Sequence, residues 1–212
     1  MTRVIDISLP IGPNLLTWPG DPGLEVNRTK HLATDGSNIS ELRMGTHTGT
    51  HVDPPVHFVE GAVGIDEVPL DLLLGSAFVA DARGMSGELG PGELDELAIP
   101  DDATRVLIRS DNSELWRSLP VAFPDQYVCL SADGARWVID RGIRVIGVDF
   151  LSVERRGSPG HPVHTALLSS GVVIVEGLNL SEVAPGAASL ACLPLRIEDG
   201  DGGPARAVLL TD

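Results

Sequence analysis

The sequence predicts an α/β fold in which one mixed, β-rich sheet dominates a small number of helices. Short runs rich in β-branched residues recur along the chain, each bounded by glycine or proline. Strand signals outnumber helix signals by about three to one. Because the two kinds of segment do not alternate regularly, we expect a large sheet, with curling towards a barrel as one option, rather than a doubly wound fold.

The predicted strands cover residues 4–11, 39–44, 77–82, 105–109, 127–130, 144–149, 172–176, 189–197 and 205–210. The clearest helix spans residues 133–141, ends at Gly142 and leads directly into the strand at 144–149. Residues 91–97 give a weaker helical signal, and residues 70–74 are predicted to form a single turn. The order in which the strands pair does not follow from this pattern.

Length and composition are typical of a globular protein. The 212 residues, of which 42% are hydrophobic and 21% charged, are expected to form a single domain over residues 1–212. The formal net charge of −15 argues against nucleic acid or an anionic membrane as a partner, because both repel an acidic surface. A small-molecule substrate remains compatible with this charge.

Cysteine usage and hydropathy predict a cytoplasmic protein. Cys129 and Cys192 both lie in apolar runs, which favours buried free thiols over a disulfide. The first residues show no basic segment followed by an apolar one, as a secretory signal would. No apolar run reaches the length of a membrane span.

Residues 47–57 contain three of the six histidines and one aspartate, which is the densest cluster of metal-ligating side chains in the chain. His47 and His51 are four residues apart and would share a face if the segment were helical. Asp53 follows two residues later. The His-x-x-x-His-x-Asp pattern therefore predicts three ligands that leave coordination positions open, as catalytic metal sites do. The alternative is a polar loop with unrelated histidines.

His57 occupies a different position, because Pro54 and Pro55 separate it from the other three side chains. It is either a fourth ligand or a group that moves protons. The two prolines put it out of step with the preceding ligands. We therefore favour an acid and base role for His57, with a purely structural histidine as the alternative.

Two further histidines and a glutamate stand near a predicted strand in the second half of the chain. His161 and His164 lie in the segment Gly160-His161-Pro162-Val163-His164-Thr165, just before a predicted turn and the strand 172–176. Glu176 ends that apolar strand, where burial without a cation or hydrogen bonds would be costly. Spacing alone leaves open whether Glu176 faces solvent or a metal. The last histidine, His31, is expected at the surface.

Together these residues resemble the metal-dependent cyclase/kynurenine formamidase (arylformamidase) family, whose signature is His-x-Gly-Thr/Ala-His-x-Asp-x-Pro-x-His. The chain matches the signature at His47, Gly49, Thr50, His51, Asp53, Pro55 and His57. The resemblance extends over the full length, through Ile5-Asp6-Ile7-Ser8, Trp18-Pro19-Gly20-Asp21, Gly147-Val148-Asp149, Val175-Glu176-Gly177-Leu178 and Cys192-Leu193-Pro194-Leu195.

The resemblance implies a fold of the swivelling β/β/α type, a homo-oligomer (a dimer or a tetramer) and one or two zinc or manganese ions. It implies that His47, His51 and Asp53 hold one metal. Asp53, His164 and Glu176 would hold the second, because the family places this histidine twelve residues before the glutamate.

The same resemblance implies that His57 is the catalytic histidine and that Trp18 lines the substrate pocket. We therefore expect a metal-dependent hydrolase of an amide, formamide or lactam bond that uses a metal-activated water. One alternative is a cyclase or dehydratase of secondary metabolism, and another is a non-catalytic metal-binding domain.

The chain also departs from the formamidase pattern. Formamidases read Asp-Thr-Pro-Ser-Leu-Asp where this chain has Asp149-Phe150-Leu151-Ser152-Val153-Glu154, and they carry paired histidines where it has His164-Thr165. These segments border the second metal and the substrate. The departures leave the exact substrate open.

Overall fold

A computed structural model describes residues 2–211. The strands are β1 (Arg3–Asp6), β2 (Glu25–Lys30), β3 (Ile39–Arg43), β4 (His51–Asp53), β5 (Leu74–Asp81), β6 (Glu88–Leu89), β7 (Arg105–Arg109), β8 (Cys129–Leu130), β9 (Val145–Val148), β10 (Val173–Glu176), β11 (Gly186–Pro194) and β12 (Gly203–Thr211). The α-helices are α1 (Leu32–Asp35), α2 (Leu70–Leu73), α3 (Pro91–Glu96), α4 (Ala132–Asp140) and α5 (Pro162–Ser169). Short 3-10 helices cover Pro55–His57, Ile65–Glu67 and Asp111–Arg117. In the described range, no helix is both long and apolar enough to cross a membrane.

The main sheet closes into a barrel. Its strands follow the order β12-β11-β5-β7-β9-β10-β4, and β4 then pairs back with β12. Strands β5, β7, β9 and β10 are mutually parallel, whereas the remaining pairs are antiparallel. Strand β1 adds to β12 outside the closed ring. The expectation of a mixed, β-rich α/β fold that curls towards a barrel is confirmed.

Alternating side chains divide the apolar residues between the two faces of this sheet. Val145 of β9 belongs to the cluster that fills the barrel, together with residues of β4, β11 and β12. Ile146, the next residue, belongs to the cluster between the sheet and helices α3, α4 and α5. Buried parallel strands need both faces covered, which explains why these strands appear in the sequence as continuous apolar runs.

Most predicted elements are present, with changes at their ends. The predicted strand 4–11 ends at Asp6, because the chain then turns through Pro10 and Gly12. The helix predicted at 133–141 is α4, and those at 91–97 and 70–74 are α3 and α2. Helix α1 and strands β2, β4 and β6 were not predicted, because they are short or polar.

Helix α5 was also missed, since the segment around His161 and His164 was only placed before a predicted turn, with no helix assigned to it. The helix begins with Pro162 at its first position, which is typical of a helix start. Its first residue follows His161, whose backbone is left-handed (φ +48°) and whose side chain makes no capping hydrogen bond. The usual N-cap signal is therefore absent from the sequence.

Strands β2 and β3 form a hairpin that is separate from the barrel sheet. All residues of both strands are exposed, including the apolar side chains of Val26, Ile39 and Leu42. A two-stranded ribbon is marginally stable when it stands alone in water. The hairpin thus presents an unpartnered apolar surface within the described chain.

Two glycines bring the start of β4 against the end of β10. Gly177 has a positive φ of +67°, and a Cβ atom added there would lie 2.3 Å from the carbonyl oxygen of Gly49. The hydroxyl of Thr50 donates a hydrogen bond of 2.6 Å to the carbonyl of Gly177 and accepts one of 2.8 Å from the Leu9 amide. Only glycine at position 177 permits this approach of the two backbones.

We predict that Gly177→Ala lowers the free energy of unfolding by about 3–5 kcal/mol, because it adds a backbone clash to the strain of a positive φ. Gly171→Ala is the matched control, since Gly171 has a φ of +74° but open space around the added Cβ. That control should lose about 1–2 kcal/mol. Chemical denaturation of both variants measures the difference, and equal losses would contradict the predicted clash.

Candidate active site

Pairing between β4 and β10 places a histidine and two carboxylates on one face of the sheet. His51 lies directly opposite Glu176 in the antiparallel register. Asp53 is two residues beyond His51 and therefore points to the same face. All three side chains are buried, with at most 3% of each residue exposed. Barrel closure thus brings together residues that are more than a hundred positions apart in the sequence.

The three side chains converge through the ring of His51. Its Nε2 atom lies 3.3 Å from Oδ1 of Asp53 and 3.4 Å from Oε2 of Glu176. Its Nδ1 atom lies 2.9 Å from the carbonyl oxygen of Gly49, which accepts the ring proton on that side. The nitrogen that faces the carboxylates is therefore free to be a ligand.

His47 reaches the same cluster from the turn that precedes β4. Its Nδ1 atom lies 2.9 Å from Oδ1 of Asp53, so Asp53 contacts both histidines of the motif. The helical alternative considered for this segment is wrong, because residues 46–50 form turns and bends and His51–Asp53 is a strand. The positive φ of Gly49 (+73°) lets the chain reverse between the two histidines.

His164 enters from the first turn of helix α5. Its Nε2 atom lies 3.4 Å from Oε1 of Glu176, and its Nδ1 atom lies 2.6 Å from Oε2 of Glu154. The other oxygen of Glu154 accepts a hydrogen bond of 3.0 Å from the amide of Val163. The amide of Val153 donates to Glu176 at 2.6 Å. Glu154 thus orients His164, a role that the sequence did not reveal.

His57 lies in the 3-10 helix after the two prolines and contacts the cluster by stacking. Its ring is 3.9 Å from that of His47, measured between ring centres, and the two planes are inclined by 27°. Burial lowers the pKa of His57 to about 4, although the negative charge of Asp53 opposes this shift. His57 is therefore a neutral imidazole at neutral pH.

A cavity of about 180 Å³ opens beside these groups. It is lined by Trp18, Asp21, His47, His51, His57, Phe58, Leu151, Ser152, His161, His164 and Glu176. Trp18 is half-buried and meets Phe123 edge-on, with 5.1 Å between ring centres. All the predicted site residues line this cavity except Asp53, which is buried behind it. Leu151 and Ser152 belong to a segment that the sequence placed at the border of the substrate, and both line the cavity. Asp21 and Phe58 were missed as lining residues, and His161 was placed only near a turn.

The electrostatics of the cluster favour a bound cation. Burial by itself would lower the pKa of His51, but hydrogen bonds that its ring donates to Asp53 and Glu176 outweigh burial and raise the pKa to about 10. The same balance, with Glu154 and Glu176 as the partners, raises the pKa of His164 to about 10. Hydrogen bonds from the histidines hold the pKa of Asp53 well below its usual value despite burial. A positive charge is therefore strongly favoured here.

The donor set also fits a divalent metal. Oδ2 of Asp53 is a buried side-chain oxygen without a hydrogen-bond partner in the described chain. Such atoms are rare unless a ligand completes them. Nitrogen and carboxylate donors suit zinc and manganese. The assignment of His47, His51, Asp53, His164 and Glu176 as ligands stays a prediction, as do the roles of His57 and Trp18.

Comparison with known proteins adds independent information. The family described as "Putative cyclase" matches residues 5–155 of the chain. The chain belongs to this family. A kynurenine formamidase of Erythrobacter litoralis is 37% identical to this cyclase-family chain, over 98% of the chain and 93% of the relative. Cyclase-like protein 3 of rice is 33% identical, over 98% of the chain and 80% of the relative.

Solved structures show the same fold. A structure described as a potential metal-dependent hydrolase with cyclase activity matches with a TM-score of 0.86 at 31% identity, over 100% of this chain and 99% of that one. Isatin hydrolase A of Labrenzia aggregata matches with a TM-score of 0.82 at 24% identity, over 99% and 94% of the two chains. The second likeness concerns the fold alone.

We predict that Glu154→Gln weakens metal binding by about 10- to 100-fold, the usual effect of removing a carboxylate behind a ligating histidine. The amide oxygen can still accept from Val163, which turns the NH₂ group towards Nδ1 of His164. That contact favours the proton on Nε2, the nitrogen that faces Glu176. Competition with a chromophoric zinc chelator measures the affinity.

Glu96→Gln is the control for this variant, because Glu96 is exposed on helix α3. It removes the same charge and should leave zinc affinity unchanged. If both variants bind zinc as the unmodified chain does, Glu154 does not orient a ligand.

Proposed function

We propose that this chain is a metal-dependent hydrolase of a carbon–nitrogen bond in an amide, formamide or lactam, similar to kynurenine formamidase. One observation carries the proposal. Five nitrogen and carboxylate side chains, His47, His51, Asp53, His164 and Glu176, surround a buried position beside the neutral His57 and an aromatic-lined cavity. This arrangement provides a cation site, a proton carrier and a substrate-sized space next to one another.

The ligand residues are proposed to hold one or two zinc or manganese ions. His47, His51 and Asp53 would hold one ion, and Asp53, His164 and Glu176 the other, with Asp53 shared. When bound, the metal supplies a Lewis acid that activates water and polarises the carbonyl group of the substrate. The protein contributes a rigid donor set, because Gly49 and Glu154 fix the rings of His51 and His164.

His57 is proposed to move the proton. As a neutral imidazole it can accept a proton from the attacking water and then donate it to the leaving amine. Its stacking on His47 holds the ring beside the cluster, and it has no carboxylate within ion-pairing distance in the described chain. A neighbouring carboxylate would keep it protonated and unable to act as a base.

An aromatic formamide or lactam is the proposed substrate class. The relatives named kynurenine formamidase, at 33–37% identity, support it, and so do the side chains of Trp18, Phe58 and Leu151 around the cavity. Aromatic and aliphatic walls bind a flat ring, while the polar groups at the base face its amide. The volume of about 180 Å³ is enough for a small ring at the site.

We further propose a homo-oligomer, a dimer or a tetramer, of single-domain chains. The exposed hairpin with Val26, Ile39 and Leu42 supports self-association, as does a surface cavity of about 670 Å³ bordered by Ile11 and Leu195. The pairing of β1 with β12, from opposite ends of the chain, supports one domain over residues 1–212. Two buried cysteines that form no disulfide support the proposal of a cytoplasmic protein.

Hydrolysis in ¹⁸O-labelled water tests the reaction type. The purified, metal-loaded chain should release formate from N-formylkynurenine or formanilide, or a ring-opened acid from isatin. Each of these products should carry one oxygen from the solvent. A cyclase or dehydratase would give products without that oxygen. A non-catalytic metal-binding domain would bind zinc and convert none of the three compounds.

His51→Ala and His57→Ala should separate metal binding from proton transfer. His51→Ala should lose metal and activity together, because it removes the group that contacts both Asp53 and Glu176. His57→Ala should keep its metal and lose turnover by about two to four orders of magnitude. Metal content and kcat for the best substrate measure both effects.

His31→Ala is the control for these variants, since His31 is exposed at the surface. It should match the unmodified chain in metal content and kcat. Full activity in His57→Ala would remove that residue from the mechanism.

A further inference from the structure

One ring nitrogen of His47 has no hydrogen-bond partner in the described chain. The Nδ1 atom lies 2.9 Å from Asp53, but the buried Nε2 atom is without a partner among the described residues. The carboxylate of Asp201 stands on that side of the ring, with Oδ2 at 4.0 Å from Nε2. This places a negative charge next to the unpartnered nitrogen.

Asp201 is held in this position by the loop before β12. The hydroxyl of Thr46 donates a hydrogen bond of 2.9 Å to Oδ1 of Asp201, which leaves Oδ2 on the side of His47. The next residue, Gly202, packs against the imidazole ring, since a Cβ atom there would lie 2.6 Å from its Cε1 atom. The loop therefore packs against the imidazole of His47, with Asp201 next to Nε2.

The two other proposed histidine ligands each have an oxygen atom on the far side of the ring, and that oxygen fixes the tautomer. His51 has Nε2 towards the carboxylates and Nδ1 against the carbonyl of Gly49. His164 has Nε2 towards Glu176 and Nδ1 against Glu154. In each ring, an oxygen on the far side takes the proton and frees the inner nitrogen. For His47 the inner nitrogen is Nδ1, and the far side belongs to Asp201.

We propose that Asp201 is a positioning residue that selects the metal-binding tautomer of His47. Its negative charge favours the proton on Nε2, which leaves the lone pair of Nδ1 directed at Asp53 and the cluster. Without that charge, Nδ1 keeps the proton and donates it to Asp53 over the observed 2.9 Å, which blocks Nδ1 as a ligand. The inference rests on the proposed metal site but not on the reaction or the substrate.

Asp201→Asn tests the proposal, because the amide oxygen can still accept from Thr46 while the NH₂ group faces Nε2. This substitution favours the wrong tautomer and should weaken zinc binding by about tenfold, at the lower end of such effects because Asp201 is largely exposed. Affinity is measured on the metal-free full chain by competition with a chromophoric chelator. Long-range ¹H–¹⁵N NMR should show His47 of the zinc-loaded, unmodified chain protonated at Nε2.

Asp199→Asn is the matched control, since Asp199 is exposed in the same loop two residues away. It removes the same charge without facing His47, so general electrostatics would weaken zinc binding equally in both variants. Asp201→Asn with an affinity within twofold of the control overturns the proposal, as does a zinc-loaded His47 protonated at Nδ1. An unmodified chain that binds no zinc overturns both this inference and the proposed metal site. A chain that binds zinc but hydrolyses nothing leaves this inference standing and overturns only the proposed reaction.

Discussion

The burial of two adjacent carboxylates, Asp53 and Glu176, is the constraint on which the rest of the site depends. Their oxygens lie within 4.8 Å of one another and of His51 Nε2. Two like charges at that distance repel by about 3–4 kcal/mol at an effective dielectric of 20, in addition to the cost of desolvation. Positive charge, either as protonated histidines or as a metal, offsets both costs. The carboxylates favour the protonated form of both histidines, which is why the pKa values of His51 and His164 are raised.

The difference between the proposed ligand histidines and His57 follows from this constraint. The rings of His47, His51 and His164 each contact Asp53 or Glu176 directly. They therefore interact with the negative charge of these buried carboxylates. His57 stacks on His47 and is desolvated without such a partner. One segment of eleven residues thus supplies both metal-ligand candidates and a neutral imidazole. The two prolines that move His57 off the strand produce this difference in environment.

The sequence predicted what depends on local order and missed what depends on long-range pairing. The apolar β-branched runs predicted most barrel strands. The His-x-x-x-His-x-Asp pattern pointed to three residues of the cluster, whereas His164 and Glu176 were expected only from the family resemblance. Strand β4 is three residues long and inside that pattern, so its extended form depends on β10 and β12 rather than on local preference. The role of Glu154 depends on helix α5, which brings His164 back to a loop ten residues earlier. No spacing rule indicates such a contact.

The position of the cluster at the point of barrel closure links metal binding to the stability of the fold. Strand β4 connects β10 to β12, and its pairing with β12 is short, at two residue pairs. Gly49 and Gly177 allow the two backbones to meet where His51 and Glu176 face each other. A ligand that binds only the closed arrangement stabilises it by RT ln(1 + [L]/Kd), about 2.7 kcal/mol at a hundredfold excess over Kd. A metal held by the proposed ligands would therefore add to the stability of the closed arrangement, in which the β4–β12 pairing is short.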